Sequence, residues 1–292
     1  MSGQPLEDPR QSTPADRRLV DTLLAGARWR HAHLDWLDAV DLLDQSPFLL
    51  ATNPQRAAAC LACPPDPPGF AWIRVFAASA DFHPAEAWAR LWPLASRQAW
   101  QRGATLAAAL SAEPWMVSLL RVSGFEETNR VVFLEHRGRP AESPPPAGVR
   151  IRGYRPADLD ALLDLDQLAF PGLWGYSLPV LSAAIEQAAL VTVLEVAGEI
   201  AGYQLSTASA LGAHLARLAV LPPHQGQGYG SALVRHLLHA FGLRGFERVS
   251  VNTQADNRAS LTLYRRLGFA DTGQGYPVFT TVLKRTSAGE SS

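Results

Sequence analysis

The sequence predicts an α/β protein made of two tandem copies of one fold. Three observations carry that prediction. Strand-like and helix-like stretches alternate, a proline-rich stretch divides the 292 residues nearly in half, and similar segments recur at a near-constant separation across the divide. Leu119-Leu120-Arg121-Val122-Ser123-Gly124-Phe125 is matched 144 residues later by Leu263-Tyr264-Arg265-Arg266-Leu267-Gly268-Phe269, and Arg74 meets Arg217 at a separation of 143.

In the first half, Phe48 to Thr52 and Ala57 to Ala62 make a hairpin at Asn53-Pro54, and Trp72 to Ala78 makes an apolar strand. Pro140 to Gly148 is stiff and unable to join a sheet. After it, Val149 to Arg152 is a short strand, and Pro156 opens a helix bearing Leu159, Leu162, Leu163 and Leu165. A second helix runs near Leu178 to Gln187, followed by a hairpin of Leu190 to Glu195 and Ile200 to Ser206 turning at Ala197-Gly198. The strand Leu215 to Leu221 ends at Pro222-Pro223. The helix Tyr229 to Phe241 presents Leu233, Leu237, Leu238 and Phe241 on one face, and Arg248 to Val251 is the next strand. The expected organisation is a disordered tail over 1–15, a first domain over 16–138, a linker over 139–148, a second domain over 149–286 and a tail over 287–292.

A composition of 47% hydrophobic and 18% charged residues is enough for two ordinary cores. The net charge of −1, with arginines scattered, gives no electrostatic reason to expect nucleic acid or an anionic membrane. No apolar run reaches spanning length and the N-terminus is polar through Arg18, so a cytoplasmic protein is expected. Cys60 and Cys63 lack a second pair or neighbouring histidines. Residues three apart in an extended segment face opposite sides, so two buried hydrophobes are expected there and no metal.

Gln225-Gly226-Gln227-Gly228-Tyr229-Gly230, between strand and helix, is the most informative stretch. Its glycines clear side chains from the turn, and a helix N-terminus adds unpaired donors and the positive end of its dipole. That is a cradle for phosphate or pyrophosphate. A P-loop needs a lysine after its last glycine, whereas the chain's one lysine is Lys284. A dinucleotide fingerprint needs Gly-x-Gly-x-x-Gly and an acidic residue ending the next strand. Here the third glycine comes one position early and Glu247 begins that strand.

Gln-x-x-Gly-x-Gly, preceded by Ala219-Val220-x-Pro222, resembles the acetyl-CoA pyrophosphate loop of the GNAT superfamily of N-acetyltransferases. Asn257, Ser260, Tyr264, Gly268 and Phe269 then fall at the spacing of a second motif similar to that family's, one helix and one strand later. The resemblance covers about Val149 to Lys284, and the two-copy layout is similar to that of mycothiol synthase. It implies, for each copy, a mixed, mostly antiparallel central sheet flanked by helices. It also implies acetyl-CoA as co-substrate, no metal, and direct attack of a primary amine on the thioester. At matching positions, backbone groups of Leu218, Ala219 and Val220 would pair with the pantetheine arm like an added strand. N–H groups from Gln225 through Gly226, Gln227, Gly228, Tyr229, Gly230 and Ser231 would hold the pyrophosphate. Asn257 would hydrogen-bond the arm, and Tyr264 would act as the acid that neutralises the departing thiolate.

The general base stays open between two positions used in the family. One holds His214, either a base acting directly or through water or an ordinary strand-edge histidine; the other holds Asn252, which orients water but accepts no proton. Phe170 to Tyr176 and a loop at Gly273-Gln274-Gly275-Tyr276-Pro277 are expected to wall a cleft for a small-molecule amine or a protein N-terminus. Glu195 and Asp271 are candidate attractants of a cationic amine. Under the same separations Gly226, Gly228 and Gly230 face His83, Ala85 and Ala87, Asn257 faces Glu113, and Tyr264 faces Leu120. The first copy is therefore expected to keep the fold and bind no acetyl-CoA, as half of an internal pseudo-dimer within a monomer. The alternative is a non-catalytic acetyl-CoA-binding protein with the first copy as an interaction module. The lack of an unambiguous base favours that alternative, and Tyr264 opposes it.

Overall fold

The computed structural model describes residues 7–34, 36–53, 56–138 and 144–284. The chain divides into two compact units, Met1–Thr128 with Pro277–Ser292, and Asn129–Tyr276. In the first, β1 (Arg10–Gln11) leads through a turn at Pro14–Asp16 to α1 (Arg17–Gly26) and β2 (Trp29–Ala32). Then β3 (Phe48–Asn53), β4 (Arg56–Ala62), β5 (Phe70–Trp72) and β6 (Val75–Ala78) precede α2 (Pro84–Gln101), β7 (Leu106–Leu110) and α3 (Pro114–Val122). One antiparallel sheet runs β1-β3-β4-β6-β2, and β5 pairs in parallel with β7.

β8 (Glu126–Arg137) enters the second unit at Asn129. It is followed by β9 (Val149–Gly153), α4 (Leu159–Ala169), α5 (Leu178–Gln187), β10 (Leu190–Val196), β11 (Glu199–Ser209) and β12 (Gly212–Val220). α6 (Tyr229–Leu243), β13 (Arg248–Gln254), α7 (Arg258–Arg266) and β14 (Ala270–Val282) complete the order. Neighbours from β9 to β12 are antiparallel, β12 and β13 are parallel, and β13 and β8 are antiparallel again. Each unit is thus an α/β unit whose strand pairing is mixed, mostly antiparallel with one parallel pair, as the sequence predicts. α6 buries Leu233, Val234, Leu237, Leu238 and Phe241, spaced to form one helical stripe. Most of that stripe packs on Leu215 of β12, Val249 and Val251 of β13, and Tyr264 of α7. Each fully buried leucine contributes about 2 kcal/mol by removal from water.

Two expectations are corrected. Residues 7–15 are not a disordered tail: Arg10 and Gln11 pair with Leu50 and Leu49, while the Glu7 N–H donates to Thr52. Nor do the units follow the linear bounds 16–138 and 149–286. Val278 to Val282 of β14 pair with β7 in the first unit, and Val131 to Arg137 of β8 pair with β13 in the second. Residues 139–143 of the expected linker and the tail 287–292 lie outside the described residues. Cys60 and Cys63 are buried in separate core clusters, and burial pushes both thiols up to about 12.

The repeat is explicit in the strand registers. Phe70, Ala71 and Trp72 pair with Leu106, Ala107 and Ala108. Ala213, His214 and Leu215 pair with Val249, Ser250 and Val251 in the same parallel manner, every residue 143 positions later. In both units the parallel pairing stops after three residues.

Candidate active site

The stop creates the site. In the second unit β12 carries one extra residue, Ala216, against the junction of Leu205 and Ser206 on β11, a bulge that bends the strand away from β13. Beyond it, Leu221 N–H donates to Ala201, so alternation turns the main-chain groups of Arg217 and Ala219 toward β11. The N–H and C=O of Leu218 and Val220 therefore face the widening gap on the β13 side. Ala219, expected beside them, directs its backbone to Tyr203 instead.

The gap leads to the glycine loop. Gly226 and Gly228 adopt φ of 77° and 84°, with open space where a Cβ would stand, so backbone conformation is what requires glycine there. Gly230 is small for a different reason: a Cβ would lie 3.4 Å from Leu263 of α7. Gln225 Nε2 donates to Val220 O and Gln227 Nε2 to Pro223 O, so both glutamines brace the turn from within. The Gln225 N–H already donates to Pro222 O, which removes it from the expected set of anion donors. Gly228 caps α6, leaving the first-turn N–H groups of Tyr229, Gly230 and Ser231 without partners inside the helix. An exposed loop of this shape fits a pyrophosphate, and the strand edge fits an extended amide-bearing arm.

Asn257 caps α7, its Oδ1 accepting from the Ser260 N–H at 3.1 Å, which leaves the Nδ2 donors for a ligand. Tyr264, two turns along, is buried beside Phe269 with ring centroids 5.6 Å apart, and burial raises its phenol pKa. His214 sits where β12 and β13 are still paired; its Nδ1 is 2.9 Å from Ser250 Oγ, and burial lowers its pKa, favouring the neutral imidazole. Four residue steps along the strand, roughly 13 Å, separate it from Leu218.

The other face of β12 carries a group the motifs did not reveal. Arg217 is buried, its Nε and an Nη pairing with the two oxygens of the fully buried Asp166 on α4 at 2.7 and 2.6 Å. Its guanidinium lies 3.6 Å from the Phe170 ring centroid and 3.8 Å from that of Tyr176, and it donates to Trp174 O at 2.8 Å. Tyr203 Oη and the Tyr176 N–H also donate to Asp166. This network pins the whole Phe170 to Tyr176 segment. The available signal was an arginine inside the apolar run Leu215 to Val220 and an aspartate on the apolar face of α4. Three other expectations change. Gly273 to Pro277 is strand, not loop; Glu195 is paired with Arg152; and Asp271 is paired with Arg265.

Among the described residues no helix is long and apolar enough to cross a membrane, and no group of three or more His, Cys, Asp or Glu could hold a metal ion.

Residues 159–269 match the model of the acetyltransferase (GNAT) family. An N-alpha-acetyltransferase of Sulfurisphaera tokodaii is 30% identical over 136 residues, covering 42% of this chain and 80% of that protein. A mycothiol acetyltransferase of Salinispora tropica is 33% identical over 144 residues, 44% of this chain; the match spans about half of that relative's length, 47%. A tandem GNAT protein from the clavulanic acid biosynthesis pathway has the same fold across 97% of this chain and 100% of its own, with a TM-score of 0.65 at 17% identity.

Proposed function

The chain belongs to the GNAT acetyltransferase family, and from that premise we propose that it is an acetyl-CoA-dependent N-acetyltransferase whose second unit moves an acetyl group to a primary amine. The observation that carries this reading is the wedge opened by the Ala216 bulge. It exposes the main chain of Leu218 and Val220 and leads to the glycine-lined N-terminus of α6. Acetyl-CoA held there supplies an acetyl group activated as a thioester.

The N–H groups of Gly226 to Ser231, without that of Gln225, hold the pyrophosphate at the positive end of the helix dipole. Leu218 and Val220 bind the pantetheine arm as a strand would, and a main-chain N–H there polarises the thioester carbonyl. Asn257 Nδ2 donates to the arm. Tyr264, kept protonated by burial, gives its hydroxyl proton to the departing sulfur. His214 takes the amine proton through a chain of waters, which its neutral ring allows and its distance from Leu218 requires. Phe170, Trp174 and Tyr176 wall the acceptor side and suit a small-molecule amine or a protein N-terminus.

Free-thiol release from acetyl-CoA, followed with a panel of primary amines and N-terminal peptides, tests the reading. The expected result is amine-dependent release that Tyr264→Phe lowers 10-fold or more with acetyl-CoA affinity retained. Binding without release for any acceptor would favour a non-catalytic binder, and equal turnover in Tyr264→Phe would remove that residue from the chemistry.

A further inference from the structure

We propose that the first unit's own cofactor cleft is filled by strand β2, a built-in stand-in for the pantetheine arm, so that each chain holds one acyl-CoA. The inference rests on the second unit being the acetyl-CoA site.

The two units open their sheets at the same place. After Trp72, as after Leu215, the parallel pairing ends; Ile73 N–H makes one last bond to Ala108, and the chain continues as β6. Ser79 N–H donates to Ala58 just as Leu221 N–H donates to Ala201. By alternation Val75 and Ala77 face β4, while Phe76 and Ala78 turn their N–H and C=O the other way. Phe76 and Ala78 are therefore the counterparts of Leu218 and Val220.

In the first unit those groups are not open. β2 runs antiparallel along them, with His31 opposite Phe76 and Trp29 opposite Ala78, the positions at which alternation exchanges both backbone bonds. The strand is anchored at the bend as well. The His33 N–H donates to Arg74 O at 2.8 Å, and His31 Nε2 to Ile73 O at 3.1 Å. At its other end Trp29 packs edge-on to Trp115 of α3, with ring centroids 5.6 Å apart. β2 lies in the stretch between the first helix and β3, the same stretch that in the second unit forms α5 and the Phe170 to Tyr176 wall.

The phosphate end is closed independently. Pro84 opens α2 and offers no N–H, His83 Nδ1 accepts from the Ala85 N–H, and Glu86 puts a carboxylate in the first turn. An anion would meet a capped helix end and a like charge, and an extended arm would meet a paired strand.

Titration calorimetry of the full chain with acetyl-CoA, combined with amide hydrogen exchange, tests the proposal. The expected result is one acetyl-CoA per chain. Exchange should slow over 225–231 on saturation, and protection over 29–32 should be equal with and without ligand. Two molecules per chain, loss of protection over 29–32 on binding, or a single site that protects 79–87 instead of 225–231 would each overturn it. No binding at all would instead remove the acetyl-CoA reading of the second unit, and this inference with it.

Discussion

Arg217 stays charged inside the second unit because its guanidinium is used on every side, the edge by Asp166 and the two planes by Phe170 and Tyr176. Removing one member of such a pair leaves an uncompensated charge away from water, which costs about 3–5 kcal/mol, whereas removing both is far milder. Arg217→Met should therefore lower unfolding free energy in urea by about that amount. Arg217→Met with Asp166→Leu and Tyr203→Phe, which also removes the hydroxyl that donates to Asp166, should recover most of it. A single variant as stable as the parent would contradict this account of the buried pair. Glu195 and Asp271 each already pair with an arginine, Arg152 and Arg265.

At the scale of elements, β2 shows how a short strand is held by an atypical core residue. His31 is buried, and burial lowers its pKa from 6.5 to about 4, with the Ile73 carbonyl fixing the proton on Nε2. The unfolded chain then binds more protons than the fold between those values. Stability is full above about pH 6.5 and is lost as pH falls toward 4, by about 3 kcal/mol in the limit. His31→Gln keeps a donor for Ile73 and has no titration. Melting temperatures should fall more steeply on acidification for the parent than for the variant, and superposable profiles would refute the assignment. The histidine also explains why β2 was not legible in sequence: Trp-Arg-His-Ala is four residues long and carries its buried contact on a polar ring. Elements with a chemical requirement were legible. Gly226 and Gly228 announce left-handed turns, and the apolar stripe of α6 announces its buried face. The wedge was not legible, because Ala216 is an ordinary strand residue and the bulge arises only from its pairing with β11. Gly273 to Pro277 reads as loop, yet it is part of β14, a neighbour of β8. The Thr272 hydroxyl donates to Phe133 O, and a Cβ on Gly275 would lie 2.8 Å from Val131 O.

At the scale of the whole molecule, the repeat is visible in sequence but the way the halves are completed is not, since strand exchange leaves no local signature. β7 needs Val278 to Val282 of β14 as its partner, and Phe279 from that segment is buried in the first unit's core. A fragment ending at the proline-rich stretch keeps every residue of the first copy's linear repeat and still lacks this strand. Losing a buried phenylalanine alone costs about 3–5 kcal/mol, a large share of a small domain's stability. Residues 1–138 expressed alone should therefore melt at much lower temperature, or without cooperativity. Residues 1–128 joined through a flexible Gly-Ser linker to 277–284 should melt cooperatively. Calorimetric scans of the two decide the matter: equal melting would mean that β14 is dispensable and that the unit is complete within the linear bounds. A cooperative transition regained only with the C-terminal strand would mean that the first unit folds only with a strand drawn from beyond the second copy, so that truncating the chain after the first copy opens the first unit's sheet.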